Sequence, residues 1–192
     1  MDSTRSVAPR PTVTPSDIRH LVLIGLMGVG KSTVGRRCAE MIGRPFVDTD
    51  AVIVDKAGMP LTEAFASVGE ARLRDLEQAV VAETVASPEP LVIACGGCTV
   101  VRPDNGNLLR RTGFVVWLRA PTSVLVARVA GERGRPLLAA DPASDLERLA
   151  AARADAYAAA ADAVIDAGTG SVDDVAAAVL ATFERDRREP RA

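Results

Sequence analysis

The stretch Gly25-Leu-Met-Gly-Val-Gly-Lys-Ser32 decides the reading of this chain. It fits the phosphate-binding pattern G-x-x-x-x-G-K-[ST] and follows the apolar run Leu21-Val-Leu-Ile24 directly. Glycines let the backbone curl around a phosphate chain with its N–H groups facing inward. The helix that follows presents its positive end to the same anion. Lys31 is placed to reach the β- and γ-phosphates, and the Ser32 hydroxyl to bind Mg²⁺. The chain carries two lysines against 21 arginines, and one of the two stands here. The competing explanation is a plain glycine turn between strand and helix.

Outward from this loop, short apolar runs alternate with helical patterns. The strand candidates are His20–Ile24, Pro45–Val47, Leu91–Ala94, Phe114–Leu118 and Ala163–Ile165. They are short and apolar on both faces, as strands covered on both sides must be. Helical spacing fills Lys31–Ile42, Asp50–Lys56, Leu61–Ser67, Glu70–Ser87, Arg102–Arg111, Thr122–Ala130, Asp145–Ala160 and Val172–Arg185. Such alternation predicts a parallel sheet with helices on both faces, and ligands outside the carboxyl ends of its strands. The loops after the first three strands should therefore converge. The Gly-, Pro- and Arg-bearing stretch Gly131–Pro142 reads as a lid, with a surface connector as the alternative.

The length of 192 residues fits one domain. With 48% hydrophobic and only 3% aromatic residues, its core must be aliphatic and Ala-rich. A net charge of −2 offers no electrostatic case for nucleic-acid binding. Three cysteines, an odd number, argue against a disulfide scaffold. No apolar run approaches the ~18 residues of a membrane span, so a cytoplasmic setting is the expectation. Residues 1–16 read as a disordered tail, 17–184 as one domain with a lid at about 131–145, and 185–192 as a charged tail that frays.

Asp48-Thr49-Asp50 closes the second strand and opens a helix. The helix N-terminus favours carboxylates there. One could hold Mg²⁺ and the other the hydroxyls of an acceptor, whereas a simple helix cap needs only one. Arg74 lies four residues after Glu70, the spacing of a surface ion pair, and Arg153 lies four before Tyr157 on an Ala-rich helix; each could be a solvated charge. His20, the single histidine, sits at the wrong end of the sheet for chemistry. Cys95-Gly-Gly-Cys98 has redox spacing, but backbone packing and ligand approach suit its context better, and Cys38 reads as a small core residue.

Taken together these residues resemble the shikimate kinase family over about His20 to Ala167. The phosphate loop is similar to the family's. Asp48-Thr49-Asp50 looks like its D-x-D, and Gly69-Glu-Ala-Arg-Leu-Arg-Asp-Leu-Glu77 like its G-E-x-x-F-R-x-x-E. Gly96-Gly97-Cys98 aligns with its G-G-G, Arg135-Pro-Leu-Leu138 with its lid motif, and Arg153 with Tyr157 with its later Arg–Tyr pair. Three departures stand out: Leu73 replaces an aromatic, Cys98 replaces the third glycine, and Ala167-Gly-Thr-Gly-Ser171 lacks the usual adenine-side arginine and proline.

The resemblance implies a three-layer α/β P-loop kinase fold: a five-stranded parallel sheet in the order 2-3-1-4-5, helices on both faces, and a lid. It implies that Asp50, Arg74, Gly96, Gly97 and Arg153 hold shikimate, the arginines on its carboxylate and Asp50 on its hydroxyls. Gly28, Val29, Gly30, Lys31, Ser32, Thr33, Arg128 and Arg135 would hold the nucleotide, and Ser32 and Asp48 a Mg²⁺ ion. Lys31, Asp50 and Arg135 would be catalytic. The implied reaction is phosphorylation of the 3-hydroxyl of shikimate by ATP, a step toward chorismate and the aromatic amino acids. The enzyme would be a monomer acting on small molecules, without nucleic acid or membrane partners. A related kinase of another cyclic polyol or hydroxy acid, and a non-catalytic nucleotide-binding homologue, remain as alternatives.

Overall fold

A computed structural model describes residues 19–130 and 141–188. The first strand, β1 (His20–Ile24), is buried along its whole length, which its unbroken apolar run requires. It leads through the glycine loop into α1 (Lys31–Ile42), which stops at Gly43 in the left-handed region (φ 64°). Next come β2 (Phe46–Asp48), α2 (Thr49–Ala57), α3 (Leu61–Val85) and β3 (Val92–Ala94). A 3₁₀ turn at Thr99–Val101, not anticipated in the sequence, precedes α4 (Pro103–Thr112). The chain continues through β4 (Gly113–Arg119), α5 (Thr122–Val129), α6 (Pro142–Ala160), β5 (Ala163–Asp166) and α7 (Val172–Arg188).

The five strands are parallel and ordered β2-β3-β1-β4-β5, the expected topology. Val22 pairs with Ile93 on one side and with Val115 on the other, so β1 is the middle of the sheet. Everything that follows β1 is thereby held in the centre of the molecule. The core is aliphatic: Leu21, Val22, Leu23, Val92, Ile93, Val115, Val116 and Leu118 are fully enclosed, with Phe114 and Phe183 as its aromatic pair. Each such side chain contributes roughly 1.5–3 kcal/mol on burial. A separate small core of Ile53, Ala64, Leu73 and Val80 joins α2 to α3.

Several boundaries differ from expectation. The second strand is shifted one residue, so that Asp48 ends it. The two expected helices at 61–67 and 70–87 are the halves of α3, which breaks at Gly69 (φ 78°, ψ 164°). The lid was expected to run to Asp145, but α6 already begins at Pro142. The Asp141 carboxylate accepts from the Ala143 and Ser144 N–H groups at 3.1 and 3.2 Å, and Pro142 suits a first helical turn. The other lid residues, 131–140, lie outside the described ones, and Arg135 with them. The last helix, expected to end at Arg185, runs on to Arg188, its last turn basic as the helix dipole favours, with Asp186 paired to Arg19.

His20 is a core residue, as its position suggested. Its Nδ1 accepts from the Leu91 N–H at 3.1 Å and its Nε2 donates to the Val85 carbonyl at 3.2 Å. Burial pushes its pKa down. Cys38 is buried against α7 near the Ala176 carbonyl, and burial raises its thiol to about 12. Among the described residues no helix is long and apolar enough to cross a membrane.

Candidate active site

The loop after β1 owes its shape to glycine. Gly25, Gly28 and Gly30 have φ of 141°, 77° and 98°, values that side chains resist. A Cβ at Gly28 would come within 2.6 Å of Val129, and one at Gly25 would strike the Leu118 carbonyl. The loop therefore lies flat on β4 and α5 and keeps its other side open. Lys31 Nζ donates to the Gly25 and Leu26 carbonyls at 2.9 and 3.0 Å, which arches the side chain back over the loop.

Asp48 has two tasks, one per oxygen. Oδ1 caps α2 by accepting from the Asp50 and Ala51 N–H groups, and Oδ2 accepts from Ser32 Oγ at 2.5 Å. Asp48 therefore caps the helix with one oxygen and meets Ser32 beside the phosphate loop with the other. The pair places two hard oxygen donors beside the phosphate loop, a set that suits Mg²⁺ completed by phosphates and water. No group of three or more His, Cys, Asp or Glu side chains that could hold a metal occurs among the described residues.

The loop after β3 forms the facing wall. The Gly96 N–H donates to Thr49 Oγ1 at 3.0 Å, tying this loop to the end of β2. A side chain at Gly96 would run into the Asp50 carboxylate and lie 3.3 Å from Glu77 Oε1. Glycine there lets two carboxylates approach the backbone. At Gly97 the neighbours are Arg153 Nη1, 3.5 Å from where a Cβ would stand, and the Gly25 carbonyl at 3.6 Å. The third and first loops therefore meet at Gly97.

The two arginines differ sharply. Arg74 donates to Glu77 at 2.5 Å and to Glu70 at 3.3 Å. Burial works against its charge, but the Glu77 hydrogen bond and Coulomb attraction outweigh it and raise its pKa. Arg153 is buried, with 7% of its surface exposed. It donates to the Gly97 carbonyl at 3.3 Å and has no acidic partner among the described residues.

These groups open onto one cleft of about 740 Å³. Gly28, Val29, Gly30, Lys31, Ser32 and Thr33 line it, as do Asp48, Asp50, Arg74, Gly97, Arg128 and Arg153. Gly96 stands just behind, against Asp50. Arg128 donates to the Val29 and Ala167 carbonyls at 3.4 and 3.0 Å, joining the phosphate loop to the turn after β5. Leu73 and Cys98, two of the three departures from the family pattern, line the cleft, as do Ala167, Gly170 and Ser171 from the third. The cysteines of the C-x-x-C motif are free; Cys95 is buried and its thiol is pushed up by that burial, while Cys98 is half-buried.

Two groups escaped the sequence reading. Glu77 was visible only as the last residue of a motif, although its i,i+3 spacing from Arg74 was a usable signal. The part of the wall formed by Val172 and Val175 offered none, because these are ordinary aliphatic residues of a helix; the adjoining Ala167–Ser171 turn was read only for the arginine and proline it lacks.

A parallel 2-3-1-4-5 sheet, with a phosphate loop at its central strand facing a floor of carboxylates and arginines, defines a P-loop phosphotransferase. Comparison with known proteins narrows the class. A family model described as shikimate kinase matches residues 27–184. A shikimate kinase of Symbiobacterium thermophilum is 46% identical over 164 residues, covering 84% of this chain and 94% of that protein. One of Geobacter sulfurreducens is 43% identical over 175 residues, covering 91% and 95%. The solved shikimate kinase of Acinetobacter baumannii in complex with shikimate superposes with a TM-score of 0.85 at 32% identity, covering 90% of this chain and 96% of that one. The chain belongs to the shikimate kinase family.

Proposed function

We propose that this enzyme transfers the γ-phosphoryl group of ATP to the 3-hydroxyl of shikimate, giving shikimate 3-phosphate and ADP on the route to aromatic amino acids. Beside the family membership, one observation carries the choice of acceptor. Arg153 brings a buried guanidinium to the cleft with no acidic partner among the described residues. Buried charges are ordinarily paired. A substrate carboxylate supplies the missing counter-ion, and Arg74, already oriented by Glu77, flanks it.

The roles follow from position. Phosphoryl transfer is mainly positioning and charge neutralisation. The N–H groups of residues 28–33 cradle the phosphates and Lys31 offsets charge on the transferred group. Ser32 and Asp48 would hold Mg²⁺, which supplies positive charge to the β- and γ-phosphate oxygens. Asp50, held against Gly96, orients the attacking hydroxyl and accepts its proton. Gly96 and Gly97 admit the acceptor close to the backbone, Arg128 supports the nucleotide side, and the family pattern gives Arg135 a place on the transferred phosphate. The working unit is a single domain over residues 17–184, acting as a cytoplasmic monomer on ATP and shikimate.

The test is ADP release by the full chain with Mg²⁺ and ATP, offering shikimate, other cyclic polyols and acids, and nucleoside monophosphates in parallel. Turnover with shikimate and mass-spectrometric detection of its monophosphate are expected. Nucleotide binding without turnover of any acceptor, or turnover confined to another acceptor, would overturn the proposal.

A further inference from the structure

Behind the cleft stands Tyr157, which is fully buried and lines none of it. It sits one helical turn beyond Arg153 on α6, so the two side chains share a face. Its hydroxyl donates to the Gly97 carbonyl at 2.6 Å, the same oxygen that Arg153 Nη1 approaches at 3.3 Å. The Arg153 charge lies near enough to the phenol to favour its ionisation, against the larger effect of burial. Burial holds the phenol protonated by raising its pKa to about 12, so it remains a donor at any working pH.

The turn at 96–98 gives this contact its consequence. The Gly96 N–H is taken by Thr49, the Gly96 carbonyl by the Thr99 N–H at 3.1 Å, and the Cys98 carbonyl by the Val101 N–H at 3.0 Å. The Gly97 carbonyl is the remaining acceptor, and a carbonyl beside a buried cation must be satisfied by something. Tyr157 supplies the short bond. Without it the Arg153 guanidinium is the donor at hand. A guanidinium drawn fully onto Gly97 no longer faces the cleft. The peptide is planar and trans, so fixing the Gly97 carbonyl also fixes the direction of the Cys98 N–H.

We infer that Tyr157 is a positioning residue of the acceptor site: by holding the Gly97 carbonyl it leaves Arg153 directed at the acceptor carboxylate. The inference deepens the shikimate reading above and rests on it. It bears chiefly on the acceptor half of the site: Gly97 packs near Gly25 and Met27, but no hydrogen bond joins Tyr157 or Gly97 to the phosphate loop among the described residues. The single tryptophan, Trp117, stacks on Tyr157 with ring centroids 5.4 Å apart, which supplies a built-in optical signal for this corner.

The experiment is a cycle of Tyr157→Phe, Arg153→Ala and the double variant, with KM for shikimate and for ATP, kcat, thermal midpoint, and shikimate titration followed by Trp117 fluorescence. Tyr157→Phe should raise the shikimate KM about 5- to 20-fold, the scale of one lost hydrogen bond to or beside a charged group. The ATP KM and kcat should stay within about 2-fold of the parent's, a split that general damage to the fold would not produce. In the Arg153→Ala background the same change should add less than about 2-fold, because its target is gone. With the carboxamide of shikimate as acceptor the penalty should disappear. An unchanged shikimate KM overturns the inference. So does a penalty that persists undiminished without Arg153, or equal loss toward both substrates with a lowered midpoint. A parent chain inert toward shikimate overturns instead the functional reading beneath it, and this inference falls with that reading.

Discussion

Replacing Arg153 by methionine separates a residue kept for its ligand from one kept for the fold. The residue is 7% exposed and bonds the Gly97 carbonyl beside the Tyr157 phenol, with no carboxylate partner among the described residues. Putting a well-packed apolar side chain in place of a poorly compensated buried charge is neutral or stabilising, by about 1–4 kcal/mol. For a domain of this size each kcal/mol moves the midpoint by about 2–4 °C. Ligand-free Arg153→Met should therefore melt at or above the parent's temperature, by up to about 16 °C. Shikimate binding should fall in the opposite direction. One lost charge-assisted contact costs about 1.5–3 kcal/mol, or about 10- to 150-fold in affinity. At 100 times its Kd, shikimate adds about 2.7 kcal/mol to the parent, an increment that should shrink to about 0.3–1.4 kcal/mol in the variant at the same concentration. Thermal scans with and without shikimate, paired with calorimetric titration, read both effects. Arg74→Met makes the contrast: it strands the buried Glu77 carboxylate and should lower the midpoint as well as weaken binding. The reasoning is refuted if Arg153→Met destabilises the ligand-free protein and binds shikimate like the parent.

Three further outcomes are expected. Lys31→Ala should lower kcat at least ~10²-fold with little change in thermal midpoint, because the side chain arches over a loop and not through the core; near-normal turnover would sink the phosphate-loop assignment. Gly96→Ala should cost about 10-fold or more in shikimate turnover while sparing nucleotide affinity, since its methyl group meets the Asp50 carboxylate; titration with an ATP analogue provides the control. His20 is held neutral in the fold, its pKa below the ordinary 6.5, so the unfolded chain binds the extra proton first as pH falls. Its stabilisation is complete above 6.5 and declines below it toward the folded pKa. Urea titrations at pH 7.5 and 5.5 should show a loss that is smaller in His20→Gln, and equal pH dependence in the two proteins would refute this.

Much of the architecture could be read along the chain because it rests on local signals. The apolar run at Leu21–Ile24 can only be a strand buried on both sides, and the glycines at 25, 28 and 30 can only be a loop with positive φ. Helix ends were less legible. Asp141 and Pro142 form a cap and first turn, but both were read as part of the lid, since proline fits a connector as well as a first helical position. The extension of α7 was missed because its last turn is polar, and Asp186 is held there by Arg19, 167 residues away in sequence.

The sequence by itself determined the phosphate loop, the order of strands and helices, and the short roster of charged residues able to serve an acceptor. These depend on residue type and spacing, which a linear chain carries in full. The tertiary structure alone decided how those charges are used. Arg74 and Arg153 look equivalent along the chain, each an arginine on a helix with a partner at i,i+3 or i,i+4. Folding sets Arg74 between two carboxylates and buries Arg153 beside a carbonyl and a phenol. Whether a charge is neutralised at home or kept for a ligand depends on what the other strands and helices bring within a few ångströms of it. That proximity is created by the crossovers of a parallel sheet, which join Gly25, Gly97 and Arg153 from three distant parts of the chain.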